Sequence, residues 1–198
     1  MKTVFLNAKK VNHGYCSNLC RDSLVMIELI VGGARSGKSK HALDLARSTG
    51  NKLHFVATGR ALDDAMSDRI RRHQAERGDD WFLVEEPENL SSLVFGFSES
   101  DTVVIDCLTL WVTNWLCGEN SRGWQAEKTA FISAIKNSPA HWILVSNETG
   151  MGVIPMGELS RTFVDESGWL HQEVAKVADC VTLVMFGIPQ ILKSVSKL

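Results

Sequence analysis

The sequence predicts an α/β domain: a mostly parallel sheet with helices on both faces, built around a P-loop nucleotide-binding core. Three observations predict it. Apolar runs rich in β-branched residues recur at residues 27–31, 53–57, 102–105, 142–145 and 181–186. Longer stretches with helical spacing alternate with them, at 38–48, 62–77, 109–116, 126–136 and 159–178, which is the pattern of parallel strands joined by crossover helices. Between the first run and the first helical stretch lies Gly32-Gly33-Ala34-Arg35-Ser36-Gly37-Lys38-Ser39, a G-x-x-x-x-G-K-[ST] phosphate loop.

The elements follow in chain order. Residues 1–25 break every period with Lys9, Lys10, Asn12, Gly14 and Asn18, and we read them as a disordered or non-native upstream extension. Met26 begins the first strand and could be the natural start of a single catalytic domain covering 26–198, a length suited to one core. The helix after the phosphate loop begins near Lys38. The helix at 62–77 opens on Asp63-Asp64 and carries Met66, Ile70 and His73 at i, i+4 and i+7. The strand at 102–105 ends in Asp106, and the strand at 142–145 runs into Ser146-Asn147-Glu148-Thr149-Gly150-Met151-Gly152. Residues 118–123 and 150–157 are the clearest loops. Trp81, Trp111, Trp115, Trp142 and Trp169 are expected in the core.

Composition narrows the partners. A formal charge of −2 gives no basis for a nucleic-acid backbone or anionic membrane as main partner. No apolar run approaches the roughly 20 residues of a membrane-spanning helix. The five cysteines, Cys16, Cys20, Cys107, Cys117 and Cys180, form neither a disulfide scaffold nor paired metal ligands, which fits a reducing cytoplasm.

Several residues carry chemistry. In the phosphate loop, glycines let backbone N–H groups wrap a triphosphate, Lys38 reaches the β/γ-phosphates and Ser39 serves Mg²⁺. Asp106, at a strand end, is either the acid that P-loop proteins bring to the metal or the cap of the helix behind it; its pairing with the loop favours the metal. His73 borders an apolar stripe, where a core role is the ordinary one. Arg69 and Arg77 one turn to either side, with Arg72 nearby, suit a triphosphate instead. Asn147 and Glu148 stand in a polar loop after a buried strand, a substrate-loop position. His41, His54, His141 and His171 show no comparable surroundings.

These blocks resemble the bifunctional adenosylcobinamide kinase/adenosylcobinamide-phosphate guanylyltransferase family of cobalamin biosynthesis. The resemblance runs from about Met26 to the C-terminus and rests on the phosphate loop, on Ala57-Thr58-Gly59, on Leu62-Asp63-Asp64 through Arg69-Ile70-Arg71-Arg72-His73, on Asp106-Cys107-Leu108-Thr109-Leu110-Trp111 and on Val145 through Pro155. It implies phosphorylation of adenosylcobinamide with ATP or GTP, then GMP transfer from GTP to adenosylcobinamide phosphate through His73 as the guanylylated residue. It implies nucleotide contacts at Thr58, Gly59, Arg60, Gln74, Ala75, Glu76, Arg77, Glu85 and Asp106. A RecA-like core and a homotrimer are further implications. The chain departs from the family pattern at Gly78, often proline, and at Val164 and His171, commonly arginine and asparagine. A P-loop switch or binding module, or a kinase without guanylyl transfer, are the competing readings of the same loop.

Overall fold

The computed structural model describes residues 26–60, 78, 80–118 and 121–194. Seven strands form one sheet in the order β3-β2-β4-β5-β1-β6-β7. In chain order these are β1 (Ile27–Gly32), β2 (Lys52–Ala57), β3 (Trp81–Glu85), β4 (Asp101–Asp106), β5 (His141–Asn147), β6 (Cys180–Met185) and β7 (Ile188–Ser194). Every pairing is parallel except β6 with β7. β5 lies between the phosphate-loop strand β1 and the Asp106 strand β4, the order of a RecA-like P-loop core.

The helices are α1 (Lys38–Ser48), the short α2 (Leu90–Leu93), α3 (Leu108–Cys117), α4 (Trp124–Lys136) and α5 (Glu158–Val177). Alternation along the strands divides the core into two layers. Ile27, Leu29, Val103, Ile105, Trp142 and Leu144 pack with Trp111, Phe131, Ile135, Leu170 and Val174 from α3, α4 and α5. On the other face, Ile30, Phe55, Val104, Ile143 and Val145 meet Ala42, Leu43, Leu45 and Ala46 of α1. The central strands are buried on both sides, so they read as continuous apolar runs rather than alternating ones.

The five strands predicted from the sequence are present, while β3 and β7 were not anticipated. Both are edge strands with one sheet neighbour, so polar and apolar residues mix in them: Phe82 and Leu83 of β3 are exposed, and β7 carries Pro189, Gln190 and Lys193. The strand expected over 181–186 stops one residue short, because Phe186 turns into the left-handed region at φ +56°. Trp111, Trp115 and Trp142 are core residues as expected. Trp169 is not: it is 52% exposed, since α5 buries the stripe containing Glu166, Ser167, Leu170 and Val174 instead. The helix expected over 62–77 lies outside the described residues.

Candidate functional site

The parallel register brings the candidate residues to one edge of the sheet. Gly32 lies opposite Asn147, Ala57 lies opposite both Asp106 and Glu85, and Asp106 lies opposite Val145. The carboxyl ends of these strands are where open α/β sheets place their ligands.

The phosphate loop spans the gap from β1 to α1. Gly37 precedes α1 at φ +96°, a conformation only glycine adopts without strain. No side chain caps α1, and its first turn carries no acidic residue, so its amino-terminal N–H groups are suited to an anion. Gly32 answers a different need: a Cβ there would stand 2.4 Å from the Val184 carbonyl oxygen and 2.6 Å from Ser36 Oγ. Lys38 is only 5% exposed and donates from Nζ to the Gly33 carbonyl at 3.1 Å. Its amine is thus held against the loop rather than extended into solvent. The Ser36 N–H donates to Gly33 O at 3.2 Å, and the Gly187 N–H, from the turn between β6 and β7, donates to Ser36 O at 2.8 Å. Ser36 Oγ is buried without a hydrogen-bond partner among the described residues. A buried hydroxyl of that kind costs free energy unless a ligand or water meets it.

The flanking loops are cross-tied. The Thr58 hydroxyl donates to Cys107 O at 2.8 Å and accepts from the Cys107 N–H at 2.9 Å. Asn114, on α3, donates to Thr58 O and Pro87 O at 2.8 and 2.9 Å, tying the loops after β2 and β3 together. Arg60 pairs with Glu88 at 2.5 Å. Asn147 donates to Thr109 Oγ1 at 2.7 Å, which leaves its buried Oδ1 without a partner among the described residues. The Glu148 N–H donates to Gly32 O at 3.0 Å, and its carboxylate accepts from the Gly150 N–H at 2.6 Å. The loop after β5 is therefore anchored to the phosphate loop itself. Burial pushes the Cys107 thiol up, and the neighbouring Asp106 charge pushes it further, so Cys107 packs as a neutral side chain.

Asp106 is followed by α3, whose N-cap is Cys107 and which has no side-chain cap bond, so Asp106 does not serve as the cap. Ser39, in the first turn of α1, and Asp106, at the end of β4, are both partly buried and are hard oxygen donors. They fit Mg²⁺ as part of a set completed by phosphate oxygens and water. Among the described residues no cluster of three or more His, Cys, Asp or Glu forms a self-sufficient metal site.

Of the predicted site residues, the structure brings together Gly32 through Ser39, Asp106, Asn147 and Glu148, with Thr58, Gly59, Arg60 and Glu85 farther along the same edge. His73, Gln74, Ala75, Glu76 and Arg77 lie outside the described residues. Sequence reasoning missed Thr109, Asn114 and the pair Ser146–His171. His171 Nε2 lies 2.7 Å from the fully buried Ser146 Oγ. The available signal was helical spacing: His171 follows Leu170 and stands four residues after Ser167 on the inward face of α5. No helix among the described residues is long and apolar enough to cross a membrane.

With this geometry in place, comparison with known proteins is specific. The family model described as cobinamide kinase / cobinamide phosphate guanyltransferase matches residues 28–192. The chain belongs to this family. The bifunctional adenosylcobalamin biosynthesis protein CobP of Pseudomonas aeruginosa is 44% identical over 169 residues, covering 85% of this chain and 98% of that protein. The proteins of the same description called CobU from Escherichia coli and Salmonella typhimurium are 36% and 37% identical, each covering 82% of this chain and 97% of theirs. Among solved structures, the flagellar accessory protein FlaH from Methanocaldococcus jannaschii aligns with TM-score 0.48 at 13% identity, covering 85% of this chain and 78% of that one. A KaiC-like protein from Pyrococcus horikoshii aligns at 0.46 and 15%, covering 80% and 70%.

Proposed function

We propose that this member of the family phosphorylates the aminopropanol hydroxyl of adenosylcobinamide with ATP or GTP, then transfers GMP from GTP to the product, giving adenosylcobinamide-GDP. The observation that carries the reading is the phosphate loop with Asp106 and the Asn147–Glu148 loop at one sheet edge, in a chain matched by the family over residues 28–192.

In the first half-reaction, loop N–H groups and Lys38 hold the donor's phosphates while the hydroxyl oxygen bonds to the γ-phosphorus, the bond from that phosphorus to the bridging oxygen breaks, the nucleoside diphosphate leaves and the hydroxyl proton passes to solvent. Mg²⁺ held by Ser39 and Asp106 would supply positive charge against the phosphate oxygens. In the second, a neutral His73 ring nitrogen attacks the α-phosphorus of GTP, a P–N bond forms and pyrophosphate leaves. A phosphate oxygen of adenosylcobinamide phosphate then attacks that phosphorus, the P–N bond breaks and the imidazole is restored. Imidazole suits both steps, as nucleophile when neutral and as leaving group when protonated. Arg69, Arg72 and Arg77 balance the developing charge, and Thr58, Gly59, Arg60, Gln74 to Arg77 and Glu85 contact the nucleotide. A cytoplasmic homotrimer belongs to the same reading, by resemblance to the family.

Incubation with α-labelled GTP, denaturation and mass measurement test it: acid-labile GMP on His73 is the expected result. Lys38→Ala should lower both half-reactions by about 10²-fold or more. His73→Ala should abolish GMP transfer while phosphorylation stays within about tenfold, because the two steps use different groups. Equal loss of both activities in the His73 variant, or no adduct in the unaltered chain, would contradict the division of roles.

A further inference from the structure

The turn joining β6 to β7 is tied to the phosphate loop and presents an aromatic ring that nothing described so far uses. Met185 and Ile188 pair across it, leaving Phe186 and Gly187 as its two central residues, at φ +56° and +77°. Two-residue hairpin turns with both central residues at positive φ normally hold Asn, Asp or Gly, since other side chains are strained there. A phenylalanine in the first position contradicts the local rule, and its ring gains no burial in exchange, being 93% exposed. Local rules are broken in this way where function outweighs stability.

The turn also sits against the loop. Gly187 donates to Ser36 O at 2.8 Å, and a Cβ on Gly37 would come within 3.2 Å of Gly187 Cα. The loop glycines thus make room for this turn as well as for phosphate. The strand order sets the turn on the side of β1 away from Asp106. Asp106, the acid that would hold a metal ion at the terminal phosphates in that reading, is on β4, reached from β1 across β5. β6 and β7 lie on the opposite side of β1. A triphosphate whose terminal phosphates lie toward Asp106 therefore carries its α-phosphate and nucleoside toward the β6–β7 turn.

We propose that Phe186 is a stacking platform for the purine base of the phosphoryl donor in the phosphorylation step. This rests on the kinase reading above. It leaves the residues on the β2 and β3 side, Thr58 to Arg60 and Glu85, for GTP in the guanylyl step, the step assigned to His73 in that reading. Every purine offers a π-face, so such a platform accepts adenine and guanine alike.

Phosphorylation kinetics with purified full-length protein test the assignment. Phe186→Asn removes the ring and places in the turn a residue that favours positive φ, so folding is retained; Phe186→Tyr keeps the ring. The expected result is a KM for the nucleotide donor raised at least about fivefold in Phe186→Asn, the loss of one base–aromatic stack. The Phe186→Tyr value should stay near the original. Inhibition by inorganic tripolyphosphate, which has the phosphates and no base, should be unchanged in both, as should the KM for adenosylcobinamide. An unchanged donor KM in Phe186→Asn overturns the proposal, as does a parallel weakening of tripolyphosphate, which would make the turn a structural support. A raised KM confined to adenosylcobinamide overturns it in favour of a corrinoid contact, and loss of assembly by sedimentation overturns it in favour of a subunit interface. If the unaltered chain phosphorylates no corrinoid, the kinase reading itself fails and the platform fails with it; a competent unaltered chain with an indifferent Phe186→Asn variant removes the platform alone.

Discussion

Replacing Gly32 by alanine would set a methyl carbon 2.4 Å from the carbonyl oxygen of Val184, which is backbone of β6 and cannot swing aside. The neighbouring Gly33 has nothing within 4 Å of the same virtual methyl. Gly32→Ala should therefore cost about 1–3 kcal/mol by overpacking, lower the melting temperature by several degrees and weaken triphosphate binding. Gly33→Ala should stay within about 0.5 kcal/mol of the parent. Calorimetry on the two variants decides it, and equal melting temperatures would sink the argument. Both glycines were visible in the sequence, and Gly32 and Gly37 fill fixed positions of the pattern. What each glycine is for was not visible. Gly37 meets a backbone need, positive φ, whereas Gly32 meets a tertiary one, the approach of a strand about 150 residues away. The Ser146–His171 contact was hidden for a similar reason, since its members are joined by the packing of α5 on β5.

Helices α4 and α5 are joined by a buried carboxylate. Glu166 on α5 accepts from Trp124 Nε1 at 2.7 Å and from Gln125 Nε2 at 2.9 Å, and lies 3.8 Å from the Lys128 amine. Lys128 is itself buried and also pairs with Glu173 at 3.1 Å. Removing the carboxylate in Glu166→Ala strands a buried indole N–H and weakens the environment of a buried cation, for an expected loss of about 3–5 kcal/mol. Glu166→Gln, which keeps an acceptor, should lose less. Urea unfolding measures both; a Glu166→Ala variant as stable as Glu166→Gln would mean the clasp does not hold the helices together. None of this was legible at the element level. Periodicity finds α4 and α5, but not that polar groups on their inner faces meet. It also missed β3 and β7: edge strands are only partly buried, so Trp81–Glu85 and Ile188–Ser194 lack the continuous apolar run that reveals β1, β4 and β5.

At the scale of the whole molecule, buried imidazoles make stability depend on pH. Desolvation lowers the pKa of His41 against the opposing charges of Glu28 and Asp44, and lowers that of His171 against Glu148. Both stay neutral in the folded state at a pH where the unfolded chain, titrating near 6.5, takes up protons. The unfolded state then binds more protons, so stability rises with pH through this window, and is lost as pH falls below 6.5 toward the depressed folded values. The urea midpoint should fall between pH 7.5 and pH 5.5, and His171→Asn should flatten that slope. A midpoint that rises on acidification would refute the assignment. The sequence by itself determined the α/β class, the phosphate loop between its strand and helix, and the strand end at Asp106. These are local: a glycine pattern, an apolar run and a helical period are each written within about ten residues. Tertiary structure decided that Asn147 stands opposite Gly32, that Glu148 is bonded to the phosphate loop, that the Asp106 strand lies one strand away from β1 across β5 and that the Phe186–Gly187 turn is bonded to the loop. Strand order and register bring those groups together, and both are settled by which apolar faces bury against each other across the whole chain.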